Sequence, residues 1–255
     1  MPTVIACFKW VIDEAYIRRG PTGDLDFSTV DYKIGEYDRN AIEEAVRLKE
    51  TVGGKAITVT VGMPEAAKGV KDALSRGSDE AYFIADSSFG NLDSSQTALI
   101  LAEVIRTRIE QYDIILCGEG SSDLYDQQVG PRLAEHLGIP CIPFVQKLSV
   151  GKDQLVAERR VDEGIEVISA PLPALLTVLP DINVPRIPGV KDTLMAGKKP
   201  TVKITKDNLP PLSGPLLRTI SLTASRMERS CEKFGTDTAE IARFVGALRK
   251  IGVIG

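Results

Sequence analysis

Short apolar runs alternate with stretches of helical periodicity through the first half of the chain, and this alternation narrows the possible folds more than any other feature. Residues 3–8 (Thr-Val-Ile-Ala-Cys-Phe) read as a buried strand. Residues 37–50 read as a helix, with Ala41, Ala45 and Leu48 at i, i+4, i+7 and Glu43, Glu44, Arg47 and Lys49 between them. Residues 56–61 are β-branched and predict a second strand. Gly62-Met-Pro-Glu then opens a helix, with Pro64 suited to its first turn. Residues 81–84 predict a third strand and residues 94–109 a helix, with Leu101, Ile105 and Ile109 a turn apart. Residues 113–117 predict a fourth strand and residues 125–137 the helix after it, ended by Gly138-Ile-Pro. Strands separated by helices of this length argue for a parallel sheet built from βαβ units.

The pattern breaks in three places. Residues 13–36 form a polar insert whose Gly20-Pro-Thr-Gly23 suits the turn of a small hairpin. After Ile142, residues 145–150, 154–160 and 166–168 read as antiparallel strands joined by turns at Gly151-Lys-Asp and Asp162-Glu-Gly. Residues 174–179 then return to the main sheet. From Pro180 to Pro215 the chain is rich in proline and reads as a loop-rich arm lying on something else. Ile241, Phe244, Val245 and Leu248 mark a terminal amphipathic helix whose apolar face packs on its own domain or on a partner. This gives an expected organisation of residues 1–200 as an α/β nucleotide-binding domain and 201–255 as an arm and helix.

Composition removes several function classes. Lys and Arg number 31 against 35 Asp and Glu, a net charge of −4, which argues against a general nucleic-acid binder. The longest uncharged stretch, residues 167–180, has 14 residues and three prolines, whereas a membrane span needs about 20 apolar residues. No leader-like segment is recognisable at the start. Cys7, Cys117, Cys141 and Cys231 form no CxxC pair, and the first three lie in apolar surroundings, as buried free thiols do. These features point to a reducing, cytoplasmic setting. The single histidine, His136, reads as a plain helix-face residue, and no metal site is expected.

The segment Gly118-Glu-Gly-Ser-Ser-Asp-Leu-Tyr-Asp-Gln-Gln-Val-Gly-Pro carries the most chemistry. It follows a parallel strand and leads into a helix, where open α/β sheets bind ligands. Gly118, Gly120 and Gly130 let backbone approach closely; Ser121 and Ser122 offer hydroxyls; Gln127 and Gln128 add neutral donors; a helix N-terminus favours phosphate. It resembles GxGxxG with Asp123 at the third glycine position, and no GxxxxGK[ST] occurs. Lys9, at the end of the first strand, and Val61-Gly62, at the end of the second, belong to the same row of strand ends. Taken alone, the segment is a weak signal and reads first as a polar βα loop. A second segment, residues 181–199, displays Val190 and Leu194 on proline-stiffened chain, either as a linker or as a docking loop.

Along nearly its whole length the sequence resembles the β subunit of electron transfer flavoproteins, most closely the bacterial Fix-type branch. The resemblance rests on Lys9-Trp-Val-Ile-Asp13, residues 41–50, Asp72-Ala-Leu-Ser-Arg-Gly77, residues 118–131, Asn183-Val-Pro-Arg186 and Lys198-Lys199. It implies an open, mostly parallel, twisted sheet of the adenine-nucleotide α-hydrolase-like, Rossmann-like kind, with a small antiparallel insert and a C-terminal arm plus helix against an α subunit. It implies an electron carrier rather than an enzyme by itself, in a heterodimer whose α subunit holds FAD. The β subunit would hold AMP or, in electron-bifurcating relatives that oxidise NADH, a second FAD. The resemblance puts Cys7 (through its backbone), Val61 and Gly62 on the adenine side, and Asp123, Gln127, Gln128 and Val129 on the phosphate side. It sets Tyr37 beside the α-subunit flavin, and makes Val190 the anchor, near Arg186, of a loop that docks on acyl-CoA dehydrogenases. The chain departs from many members in having Gly35-Glu36 for Asn-Pro, Val129 for Thr, and Leu124-Tyr125 for small and acidic residues. Besides the simple carrier and the bifurcating subunit, a stand-alone nucleotide-binding protein of the universal-stress type is the remaining alternative.

Overall fold

The computed structural model describes residues 1–20, 24–212, 214–223 and 231–254. In chain order its strands and helices are β1 (Thr3–Cys7), β2 (Trp10–Ile12), β3 (Arg18–Arg19), β4 (Leu25–Asp26), β5 (Tyr32–Ile34), α1 (Glu36–Val52), β6 (Lys55–Gly62), α2 (Ala67–Ser75), β7 (Glu80–Ala85), α3 (Ser94–Arg108), β8 (Ile114–Gly118), α4 (Val129–Leu137), β9 (Cys141–Val150), β10 (Gln154–Val161), β11 (Gly164–Pro171), β12 (Ala174–Val178), α5 (Val190–Ala196), β13 (Thr201–Ile204) and α6 (Thr238–Lys250).

Nine strands form one sheet in the order β11-β10-β9-β12-β8-β1-β6-β7-β13. From β9 to β13 the pairings are parallel, and β9-β10-β11 continue as an antiparallel meander. Strand residues alternate between two cores, as the period of two requires. Val4 and Ala6 of β1 join Ile42, Ala45 and Val46 of α1 and Val70 and Leu74 of α2. Ile5 and Cys7 join Ala98, Leu101 and Ile105 of α3 and Leu133 of α4 on the other face. Helices on both faces explain why the parallel strands read as continuous apolar runs. Each large aliphatic side chain buried in these cores contributes about 1.5–3 kcal/mol.

The expected α/β class, parallel sheet and antiparallel insert are all present. Two local expectations are corrected. The fourth helix begins at Val129, not at residue 125, because Tyr125 and Gln127 hold left-handed backbone (φ 52° and 57°) that a helix cannot continue through. The proline-rich stretch after Pro180 is not all loop: it contains α5 and then β13, which extends the sheet beside β7. Glu43 and Glu44, which lie between the apolar positions of α1, are buried, because residues 180–186 lie over that face of the helix. In the polar insert, β2 pairs with β5 and β3 with β4, while the centre of the expected turn at 20–23 lies outside the described residues.

The chain divides into two compact units, residues 1–18 with 26–221 and residues 19–25 with 222–255. The second contains α6, capped by the Asp237 side chain accepting from the Glu240 N–H. Phe244 of α6 meets the Phe234 ring edge-on at 5.4 Å, and Arg243 lies over that ring. None of the helix's residues is buried: Ile241 and Phe244 of the expected apolar face are exposed, and Val245 and Leu248 are half-buried.

Candidate functional site

The sheet order fixes where a ligand crevice lies. From β1 the chain runs through α1 to β6 and β7 on one side, then returns to place β8, β12 and β9 on the other. The strand order reverses between β1 and β8, so the loops leaving their carboxyl ends part and open a crevice. Lys9 follows β1, residues 118–128 follow β8, and Val61-Gly62 end the neighbouring β6.

Asp38, in the first turn of α1, joins both strand ends. Its Oδ2 accepts the Lys9 N–H at 2.8 Å and its Oδ1 the Gly118 N–H at 3.2 Å. A Cβ on Gly118 would meet Asp38 Oδ1 at 2.6 Å and Tyr37 Cβ at 2.7 Å, so only glycine lets the helix come this close. Burial pushes the Asp38 carboxyl up to about 7, against the two backbone N–H groups that favour its ionised form.

Across the crevice the Lys9 ammonium reaches Asp123 Oδ2 at 2.6 Å. Burial pushes the Asp123 carboxyl up, but Lys9, with the Ser121 hydroxyl and the Leu124 N–H, more than offsets this and holds it below the ordinary carboxylate range. Beside it, the buried Ser122 Oγ has no hydrogen-bond partner. Tyr125 turns back over the loop: its hydroxyl donates to Glu119 Oε1 at 2.5 Å, and its ring lies 5.5 Å from that of Tyr37. The bond to Glu119, together with burial, raises the Tyr125 hydroxyl well above its usual range. Gln127 is half-buried; Gln128 precedes α4 without a side-chain cap and accepts from Ser94 Oγ at 3.4 Å and Arg132 Nε at 3.0 Å. Val129 and Gly130 supply the first free N–H groups of α4. Gly130 is pressed to β12, where a Cβ would meet Thr177 Cγ2 at 2.5 Å.

The structure thus gathers Lys9, Tyr37, Gly118, Ser122 and Asp123 around one crevice, with Val61 and Gly62 at the adjoining strand end. Cys7 contributes backbone only: its side chain points into the α3–α4 core, where its thiol and that of Cys117 interact. The described residues hold no cluster of three His, Cys, Asp or Glu side chains suited to a metal.

Val190, Leu194 and Arg186 lie elsewhere. Val190 starts α5, and it and Leu194 are 81% and 70% exposed, displayed on a short helix rather than on the expected loop. Arg186 is engaged within the chain: it donates to Glu43 Oε2 at 2.8 Å and to both Glu50 oxygens at 2.8 and 2.9 Å. Burial pushes the Glu43 carboxyl up, yet the Arg186 guanidinium holds it below its ordinary value. Asn183 completes the attachment. Its Nδ2 donates to the Asn40 carbonyl and Glu44 Oε2, while Asn40 Nδ2 donates to the Asn183 carbonyl at 2.8 Å.

Against known proteins, residues 22–209 match the electron transfer flavoprotein domain. The chain belongs to the electron transfer flavoprotein family. Its role is accordingly of the electron transfer flavoprotein type, in electron transport. The matched segment runs from the polar insert to just past β13, so this electron transfer flavoprotein domain holds all of α1, the crevice loop and the Val190 helix. Among the described residues no helix is long and apolar enough to cross a membrane.

The crevice residues fit the phosphate of a nucleotide. Ser122 brings an unpaired hydroxyl, Lys9 an ammonium, and α4 an N-terminus, while Asp123 is already paired. Asp38 and Glu119 were not among the residues singled out from the sequence, and Tyr125 was named there only as a departure from the family pattern. Asp38 carries a legible signal, because it precedes Ala41, Ile42 and Ala45 on the buried face of α1 and is a carboxyl where an apolar residue is expected.

Proposed function

We propose that this chain is the β subunit of a heterodimeric electron transfer flavoprotein of the Fix-type bacterial branch, pairing with an α subunit that carries FAD. In this reading the crevice between β1 and β8 holds an adenine nucleotide, AMP or a second FAD. The observation that carries the reading is the buried, unpaired Ser122 hydroxyl beside the Lys9–Asp123 pair at the point where strand order reverses. Backbone at Cys7 and Val61-Gly62 takes the adenine side. Ser122, Asp123, Gln127, Gln128 and the α4 N-terminus take the phosphate side.

The flavin, when bound, supplies the electron chemistry that no side chain here offers. The chain's own part is to bind and orient. Asp38 holds the two strand ends in register, Lys9 neutralises charge beside the phosphate side, and Tyr37 presents an aromatic face at the rim. The exposed Val190 and Leu194 support brief docking on an acyl-CoA dehydrogenase-type partner, since transient electron-transfer contacts are small and a single apolar anchor carries weight in them. The exposed Ile241 and Phe244 of α6 support a standing interface with the α subunit. The buried free thiols suit a cytoplasmic protein.

The test is to co-express the chain with its α partner, denature the purified complex and count released nucleotides by chromatography with mass detection. One FAD and one AMP per heterodimer makes the chain the β subunit of a simple carrier with a structural nucleotide. Two FAD and no AMP makes the crevice redox-active and the chain a bifurcating subunit. Failure to form a heterodimer removes the reading.

A further inference from the structure

Asp93 uses its two carboxylate oxygens on two separate parts of the chain. Its Oδ1 accepts the Gln96 N–H at 2.8 Å and caps α3. Its Oδ2 accepts the N–H groups of Leu216 and Leu217 at 2.6 and 3.1 Å, 123 and 124 residues further along. Burial pushes the Asp93 carboxyl up, but the N–H groups of Gln96, Leu217, Leu216 and Ser95 more than offset this and hold it below its ordinary value. The chain reaches this point from β13, after Leu209 and Leu212 have packed, half-buried, on the α3 side of the core. Residues 214–223 are exposed throughout, so the backbone bonds to Asp93, rather than burial, hold the chain there. Leu216, Leu217 and Ile220 are 70%, 61% and 94% exposed, an apolar row on a tethered backbone.

We propose that Asp93 is the anchor of the arm that grips the α subunit: by tying the Leu216 and Leu217 backbone to the start of α3, it presents Leu216, Leu217 and Ile220 in an order the α subunit closes on. This rests on the reading of the chain as a β subunit and deepens it. Capping a helix needs one side-chain acceptor, so the second oxygen and its two bonds are surplus to that task. A free arm pays conformational entropy for every residue it orders on a partner. The bonds to Asp93 order this part of the arm beforehand, at a place set by α3. The occupant follows from continuity along the chain. The arm leads on to α6, whose exposed Ile241 and Phe244 support an interface with the α subunit in the same reading. Asp93 is a positioning residue here, and the apolar row makes the contact.

Asp93→Asn separates the two roles. Asparagine has one acceptor oxygen, so it serves the helix or the arm but not both, and as one of the best N-caps it is expected to serve the helix. Asp93→Ser, whose short side chain caps the helix and falls short of the arm, is the second variant should the first fail to assemble. Hydrogen exchange of the concentrated heterodimer is followed in peptides covering the start of α3 and residues 214–221, and the heterodimer dissociation constant is measured by dilution. In Asp93→Asn, exchange at the start of α3 is expected to stay as in wild type and exchange in the arm to rise at least about ten-fold. The dissociation constant is expected to rise about ten- to a hundred-fold, the scale of charge-assisted hydrogen bonds lost from a preordered segment. Unchanged arm exchange in both variants overturns the inference. Faster arm exchange with an unaltered dissociation constant also overturns it, as does an equal rise in α3 and arm, which reduces Asp93 to a cap. In each of these cases the wild-type heterodimer has formed and the β-subunit reading stands. A wild-type chain that binds no α subunit removes the reading and the inference together.

Discussion

Lys9 and Asp123, 114 residues apart in sequence, meet at 2.6 Å from the ends of two adjacent parallel strands. The pair is partly exposed, so it adds at most about 1 kcal/mol to folding. Its weight falls on the ligand instead. Lys9→Met is expected to leave the urea midpoint of the chain nearly unchanged and to weaken AMP binding by about ten- to a hundred-fold, the scale of one lost charge-assisted hydrogen bond. Calorimetric titration of the stripped heterodimer with AMP checks this, and equal affinity in both proteins excludes Lys9 from the phosphate side.

Asp38 predicts an unusual pH dependence. Its folded value is raised from 3.8 to about 7, so the folded state binds more protons than the unfolded state between those limits. Stability therefore rises as pH falls through that window. Between pH 8 and pH 5.5 wild type is expected to gain about 2 kcal/mol relative to Asp38→Asn, from a slope of at most about 1.4 kcal/mol per pH unit. Urea unfolding of both proteins at several pH values measures it. Parallel curves would assign the carboxyl an ordinary value.

Arg186 is expected to hold the Val190 helix in place rather than to touch a partner. Arg186→Ala leaves the nearly buried Glu43 with only Arg47 as an ion-pair partner, 2.8 Å away. We expect a loss of about 2 kcal/mol, below the range for a fully buried pair because the guanidinium is partly solvated. Adding Glu43→Gln is expected to recover part of the loss, which a double-mutant cycle reads directly.

Gly130→Ala drives a methyl into Thr177 Cγ2 and is expected to cost about 1–3 kcal/mol by forcing α4 off the sheet. Thr177→Ser removes that methyl and keeps the hydroxyl that accepts the Phe144 N–H. The double variant is expected to regain most of the stability in thermal unfolding, an outcome that overpacking alone predicts.

Val190→Asp is expected to leave stability within about 0.5 kcal/mol, since the side chain is almost free of the fold. Electron transfer between the heterodimer and an acyl-CoA dehydrogenase-type partner is expected to slow about ten-fold. Stopped-flow reduction of the complex reports it, and an unaltered rate removes Val190 from the docking surface.

The elements legible in the sequence were those whose period is set by a core on both sides, such as β1, β6, β8 and α3. The start of α4 was not legible. Nothing in Tyr125-Asp-Gln-Gln announces left-handed backbone at two non-glycine residues, a conformation imposed by Glu119 and the loop itself. Helix α5 and strand β13 were hidden by prolines that mark the joints between them. The burial of Glu43 and Glu44 depends on Asn183 and Arg186, some 140 residues away, and no local pattern encodes that. In the crevice, Lys9, Ser122 and Asp123 followed from their places after strands. Asp38 needed only the observation that its helical register is an inward one.

Helix α1 begins at the crevice with Tyr37 and Asp38 and, through Asn40, Glu43, Glu44 and Glu50, carries the segment that leads to Val190. Its 17 residues make a rigid rod about 25 Å long. In the proposed reading, the distance from the nucleotide crevice at one end to the docking surface at Val190 near the other is therefore written into the pitch of a single helix. A kink within it would shift that surface relative to the crevice even with every binding residue intact.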